Sequence, residues 1–322
     1  MSSFPSSLYD GFFINIKWVI DMSNAWQTVY IKQCDSMRLK WNQLEINKVT
    51  EKIYVPLEDI QMIILEGKTS ITTSLLSEFS KYNIVVVVCD DLYLPTGMYL
   101  SYANYHRSAK RACEQILWTQ EMKALAWKSV VVQKMKNQMK YAKYKNIDSS
   151  RVIAMQDYIL DTQPYDKTNR EGHVAKLYFN SLYGKEFTRD LPILENAAMN
   201  YGYSIIRALM ARIVVGQGFM PVLGIFHSNE YNAFNLVDDL MEPYRPLMDY
   251  WLDLTIFGKY NFMSYEVRTT IIDFINQPIY VNNQKSTIDE SMKRYVNSFV
   301  KSMQNKDMKY LIEIDIDNFI GA

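Results

Sequence analysis

Apolar and polar positions change their period near residue 105. Before that point, from about residue 25, short runs rich in β-branched and aromatic residues succeed one another: QTVYIKQ, SMRLKW, QLEIN, KIYVPL, IQMIILE, IVVVVCD and LPTGMYLSY. Runs of this length and composition predict strands. The interruption TSITTSLLSEFSKYN sets Leu75, Leu76 and Phe79 at helical spacing behind Ser and Thr residues, and predicts one helix lying over the sheet.

After the change, apolar residues recur with a period near 3.6 over roughly 107–145, 150–162, 169–184, 195–217, 235–257, 265–277 and 287–304. Almost everything beyond residue 106 is therefore expected to be helical. The predicted class is α+β: a small β-rich domain over 25–104, then a larger all-helical domain over 105–322. Residues 1–24 carry no basic stretch leading into a long apolar run, so they are read as an extension of unknown role, not a signal peptide.

Composition narrows the class without naming it. Apolar residues make up 48% of the 322, with only 11 Gly and 9 Pro, which suits a globular chain with ample core. The longest apolar run is strand-sized, far short of a membrane span. Cys34, Cys89 and Cys113 are scattered without CxxC spacing, so a disulfide framework and a thiolate zinc site are not indicated, and a reducing, cytoplasmic location is expected. Net charge is zero, yet residues 105–151 hold 11 Lys and Arg against 3 Asp and Glu. With so few acids nearby, i,i+4 compensation is mostly absent, and an uncompensated basic rod suits a phosphate backbone. Arg107, Lys110, Arg111, Lys134 and Lys136 are its candidate DNA contacts, with Arg245 further along.

The chemistry concentrates in two segments. TNREGHVAKLYFNSLYG opens with Thr168 or Asn169 as a plausible cap and Glu171 in the first turn, where a lone carboxylate is ordinarily a helix-dipole partner. His173 projects elsewhere. HSNEYNAFNLVDDLMEPYRPLMDYW follows an apolar run, and its His227 alone would read as a hydrogen-bonded core residue. A helix from Asn235 stacks Asp238 and Glu242 at i,i+4, with Asp239 beside them. Like charges so placed need a cation: Arg245 and Asp249 completing an ion-pair network, or a divalent metal, for which oxygen ligands with one imidazole favour Mg²⁺ or Mn²⁺ over zinc. Pro243 and Pro246 are expected to disturb this helix.

TNREGHVAKLYFNSLYGKEFTRDL, NAAMNYGYSIIRALMARIVV and GIFHSNEYNAFNLVDDLMEPYRPLMD, in that order, resemble the CRISPR-associated Cas-one (Cas1) spacer-acquisition integrases, in the variant accompanying Cas-nine (type II) systems. WQTVYIKQCDSMRLKWNQLEIN, IILEGKTSITTSLLSEF and VVVCDDLYLPTGMYL are similar to that family's β-domain. The resemblance spans about residues 25–255 and implies that Glu171, His227 and Glu242 are catalytic and bind Mg²⁺ or Mn²⁺, with Asp238 and Asp239 as supporting acids. It further implies a DNA endonuclease and integrase that joins 3′-hydroxyl ends of spacer precursor to the CRISPR repeat, a homodimer built through the β-domain, a Cas-two (Cas2) dimer bridging two such dimers, and assistance from Csn-two and Cas-nine. Two alternatives stay open on the residues alone. One is a metal-dependent nuclease acting on branched or repair DNA; the other is a non-enzymatic DNA-binding scaffold whose acids are an ion-pair network.

Overall fold

The alternating segment folds into strands β1 (Gln27–Ile31), β2 (Ser36–Lys40), β3 (Gln43–Asn47), β4 (Lys52–Pro56), β5 (Ile60–Leu65) and β6 (Ser70–Ile71), helix α1 (Thr73–Lys81), and strands β7 (Val85–Cys89) and β8 (Pro95–Tyr99). The structure, a computed structural model, describes residues 27–32, 34–48, 51–102 and 107–321, so the 1–24 extension lies outside the described residues. One sheet has the order β1-β5-β7-β8, parallel except for the last pair; the other has the order β4-β3-β2-β6. Thr72 caps α1 by accepting from the Leu75 amide.

Every residue of β5 is buried, as expected of a strand covered on both faces. Ile63 and Leu65 turn toward β2, β3 and α1, whereas Met62 and Ile64, with Val85 and Val87 of β7, join the core of the helical part. The period of two thus splits one strand between two cores. A buried ion pair reinforces the junction: Arg268 donates to both carboxylate oxygens of Glu66, at 2.7 and 3.0 Å.

Beyond residue 107 the chain forms α2 (Ser108–Ile116), α3 (Gln120–Tyr144), α4 (Ser149–Leu160), α5 (Arg170–Tyr183), α6 (Leu194–Gly216), α7 (Asn235–Met241), α8 (Arg245–Thr255), α9 (Tyr265–Ile272), the hairpin β9 (Pro278–Val281) and β10 (Gln284–Thr287), α10 (Ile288–Asn305) and α11 (Asp317–Ile320). The β-rich and helical halves match the expected class. Three local expectations need correction. The predicted 107–145 helix divides at Leu117–Thr119, where Thr119 accepts from the Met122 amide and starts α3 afresh. The predicted 235–257 helix divides at a 3-10 turn, Glu242–Tyr244, which contains Pro243. The helical half also contains a β-hairpin, turned by Asn282 and Asn283, both left-handed (φ 51° and 62°), as a two-residue hairpin loop requires.

Helix α3 runs through the helical core against α4, α5 and α8. It is not the uncompensated basic rod expected from the charge count. Lys136 pairs with Glu313 at 2.9 Å, Lys140 with Asp315 and Asp317 at 2.5 and 2.9 Å, and Lys145 with Asp253 at 2.9 Å. The compensating acids lie more than a hundred residues away in sequence, where i,i+4 counting does not look.

Candidate active site

Glu171 is positioned by the loop before α5. Tyr165 and Asp166 both adopt positive φ, 65° and 46°, which turns the chain so that the buried Asp166 carboxylate faces the new helix. Its oxygens accept from the backbone amides of Arg170, at 2.7 Å, and Glu171, at 2.9 Å. Asp166 therefore does the capping expected of Thr168 or Asn169; Asn169 is left-handed and makes no side-chain cap bond. His173 points away and stacks on Tyr158.

His227 sits in the loop between α6 and α7, and Asp239 builds that loop. One Asp239 oxygen accepts from the amides of Ile225 and Phe226, at 2.7 and 3.2 Å; the other meets the amide of His227 at 3.1 Å and its Nδ1 at 2.7 Å. A carboxylate is acceptor-only, so Nδ1 carries the proton and Nε2 is left with its lone pair. The hydrogen bond to Asp239 raises the imidazole pKa above the ordinary histidine value, against the opposing effect of burial. Gly224 allows the turn: a Cβ there would lie 2.3 Å from the His227 carbonyl oxygen and 2.8 Å from Asp239 Oδ2. From α2, buried Gln115 donates to the Met220 and Leu223 carbonyls and accepts from the Met220 amide, pinning the loop's first half.

Glu242 begins the 3-10 turn and is almost fully buried, at 3% exposure. Lys134 of α3 contacts its Oε2 at 2.6 Å and Arg245 its Oε1 at 3.1 Å. Burial alone pushes the carboxyl up, but these two cations outweigh it and hold Glu242 below the usual glutamate range. The same Lys134 ammonium also bonds Glu171 Oε1, so one cation holds both carboxylates within its reach.

Glu171, His227 and Glu242 line a single cavity of about 640 Å³ together with Lys134, Asp238, Arg245 and Asp249. Asp238 forms a two-pronged pair with Arg207, at 2.7 Å each, so the expected repulsion with Glu242 does not arise. Asp239 lies behind His227. Arg245 pairs with Glu242, but Asp249 does not join it; Asp249 accepts from the hydroxyls of Tyr178 and Tyr203, at 3.0 and 2.5 Å, and burial raises its carboxyl to about 6. Lys134 lines this cavity and is buried against the two carboxylates, not carried on the exposed face of α3. Lys136 is on the outside of α3 with Glu313, Arg111 is paired with Glu114 at 2.9 Å, and Arg107 and Lys110 are exposed at the start of α2.

The donor set suits a hard divalent cation: two carboxylates gathered by one positive charge, a neutral imidazole nitrogen, and a desolvated Glu242 Oε2 that meets Lys134 without forming a well-directed hydrogen bond. Among the described residues, no three His, Cys, Asp or Glu groups stand close enough together to bind a metal as they are. Sequence reasoning missed Arg189, Tyr203 and Arg207 on the cavity wall. Asn200, Tyr203, Ser204 and Arg207 fall on one face of the largely apolar α6, a polar stripe that spacing alone could have revealed.

The fold, a β-rich domain leading into a helical domain, is shared with solved structures. One is a casposase bound to integration product, with a TM-score of 0.70, 17% identity, and coverage of 90% of this chain and 94% of that one. Another is a Cas1 protein from Thermotoga maritima, with a TM-score of 0.70, 16% identity, and coverage of 86% and 97%. At such identities the likeness is one of fold. The sequence itself matches the family described as CRISPR associated protein Cas1 over residues 29–187 and 194–262. It is 34% identical over 294 residues to the CRISPR-associated endonuclease Cas1 of Neisseria meningitidis serogroup C, covering 89% of this chain and 95% of that protein. A more distant relative, a CRISPR-associated endonuclease Cas1 of Francisella tularensis subsp. novicida, is 24% identical over 227 residues, covering 64% of this chain and 71% of that protein. The chain belongs to the Cas1 family.

Proposed function

We propose that this chain is a divalent-metal-dependent DNA endonuclease and integrase that inserts new spacer DNA into a CRISPR repeat. One observation carries the reading: the two carboxylates and the imidazole singled out in sequence line one cavity, with a positive charge seated between the carboxylates. The names of its relatives, CRISPR-associated endonucleases, and of a structural neighbour, a casposase bound to integration product, support the same chemistry.

Glu171, Glu242 and Nε2 of His227 would hold Mg²⁺ or Mn²⁺. When bound, the ion supplies Lewis acidity to a phosphodiester and offsets the charge that grows on its oxygens. The chain's own residues do the rest. Asp239 fixes the His227 tautomer and orientation, and Asp166 fixes the start of α5 and hence the reach of Glu171. Arg189, Arg207 and Arg245 line the cavity as donors to neighbouring phosphates. A 3′-hydroxyl of the incoming DNA attacks phosphorus in the repeat, the new P–O bond replaces the old one, and the displaced 3′-oxygen leaves with a proton. Bond number is conserved, so no high-energy cofactor is required. With water as nucleophile, the same centre hydrolyses DNA.

A homodimer formed through the β-domain and bridged to a second by a Cas2 dimer follows from the family; a solved relative is a Cas6-RT-Cas1–Cas2 complex. The test combines purified protein, its Cas2 partner, a short duplex and a supercoiled repeat plasmid. Joined product is expected with a 3′-hydroxyl donor and Mg²⁺ or Mn²⁺, and none with a 3′-dideoxy donor or with Glu242→Gln. Joining that persists in excess chelator would refute the metal role, and cleavage without joining would favour a plain nuclease.

A further inference from the structure

Lys134 occupies an unusual place for a lysine. It sits on the central helix α3 with only 6% of its surface exposed, and its ammonium bonds Glu171 and approaches Glu242 Oε2 at 2.6 Å. These are the carboxylates that would bind the metal. A divalent ion takes carboxylate oxygens at about 2.0 to 2.6 Å, using the same lone pairs. Two cations cannot occupy the same lone pairs, and beside the buried Lys134 and Glu242 their mutual repulsion is less screened than in bulk water.

We propose that Lys134 is a built-in competitor of the metal ion: its ammonium holds the two carboxylates together until the ion displaces it. The inference rests on the metal-dependent reading above. It accounts for two features of the cavity. Both carboxylates converge on one ammonium, which offsets the repulsion between like charges, and among the described residues no three ligating groups already stand together.

The displaced ammonium needs another anion. The remaining acids of the cavity wall are engaged: Asp238 by Arg207, and Asp249 by two tyrosine hydroxyls. A DNA phosphate is then the fitting partner, so DNA and metal favour each other's binding through Lys134.

The test is Mn²⁺ binding by calorimetry, with thermal unfolding in parallel, on wild type, Lys134→Met, Lys134→Arg and Glu242→Gln, each with and without a short duplex. Arg245 still pairs with Glu242 in the Lys134→Met variant, which keeps one counter-charge on the buried acid; Lys134→Gln is the second choice should Met not fold. Without DNA, Lys134→Met should bind Mn²⁺ about ten- to a hundredfold more tightly than wild type, the worth of one charged hydrogen bond. It should also show a larger Mn²⁺-induced rise in unfolding temperature. Lys134→Arg, which keeps the charge, should stay weak. The duplex should tighten Mn²⁺ binding more in wild type than in Lys134→Met, the metal's own contact with DNA being common to both. Equal or weaker Mn²⁺ binding by both uncharged variants, with wild type binding normally, overturns this proposal alone. Absence of Mn²⁺ binding in every protein, or unchanged binding in Glu242→Gln, overturns the metal reading and this proposal with it.

Discussion

Asp239→Asn isolates what holds the histidine. The carboxylate is fully buried and accepts four hydrogen bonds, three from consecutive backbone amides and one from His227 Nδ1. An asparagine is nearly isosteric but has one acceptor oxygen. Whichever pair of donors the amide oxygen keeps, its NH₂ faces the other pair. Two bonds to a charged acceptor are lost, each worth about 1.5 to 3 kcal/mol, so a destabilisation of about 3 kcal/mol or more is expected in denaturant unfolding. The imidazole changes too. Its hydrogen bond to Asp239 is the largest cause of its raised pKa, and burial, which opposes it, remains in the variant. His227 should therefore titrate lower in Asp239→Asn than in the parent, where it stands above the ordinary histidine value of 6.5, with Glu242 and Asp238 still raising it in both.

The sign for stability follows by linkage. In the parent, the raised pKa contributes stability that is complete below 6.5 and is lost as pH rises through the folded value. In the variant this contribution shrinks, so the stability gap between the two proteins should widen toward acid. Proton NMR of metal-free protein reads the titration directly, since the chain has only 3 histidines to assign. An imidazole pKa unmoved by the substitution, with stability within about 0.5 kcal/mol, the range of an ordinary surface change, would refute the reasoning.

Gly224→Ala should displace the His227 loop, because its Cβ would meet a backbone oxygen at 2.3 Å, a clash that only a shift of the chain relieves; a cost of about 1 to 3 kcal/mol and loss of metal binding are expected, and a fully stable, metal-binding variant would count against it. Asp249, held neutral up to about 6 against 3.8 when unperturbed, contributes stability in acid that is lost as pH rises from 3.8 through about 6. Asp249→Asn should therefore gain about 3 kcal/mol relative to wild type between pH 4 and 7, read from unfolding at several pH values; a pH-independent difference would exclude this account. Arg268→Met leaves the buried Glu66 carboxylate without its counter-charge, and should cost about 3 to 5 kcal/mol, with much of it restored by adding Glu66→Leu; a variant as stable as the parent would show that the pair does not hold the two halves together.

Much of this architecture was readable because periodicity reports burial. The strands from Gln27 to Tyr99 and the helices from Ser108 to Asn305 lie where alternation and the 3.6-residue period put them, apart from breaks of a few residues. The Asn282–Asn283 hairpin was missed because two short strands inside a helical domain give too few residues to establish a period, although the Asn-Asn pair is itself a turn signal. Glu171, His227 and Glu242 were legible as residue types in suggestive settings, and their sharing of one cavity came from the resemblance, not from spacing. The partners of each were not legible. Asp166 reaches forward to α5 through a left-handed turn, and Asp239 works backward on a loop, so neither follows a helical rule.

The hardest error was in α3, and it is instructive about what charge along a chain means. Eleven bases against three acids over 105–151 argued for a surface waiting for phosphate. A count of charges in sequence presumes that neighbours in the chain are neighbours in space, which holds for one exposed helix and fails for a helix packed on several sides. Here α3 is such an axle. Lys136, Lys140 and Lys145 meet Glu313, Asp315, Asp317 and Asp253 from segments that close over it late in the chain, and its inner Lys134 meets the two acids of the candidate site. Part of the basic excess of this block therefore serves to fasten later segments of the chain and to hold the two carboxylates of the candidate site. In the proposed reaction, phosphate contacts would fall instead to residues of the cavity wall such as Arg189, whose guanidinium donates to Asn196, Met199 and Asn200 and lies over Phe179 and Tyr203, so that neutral groups hold it.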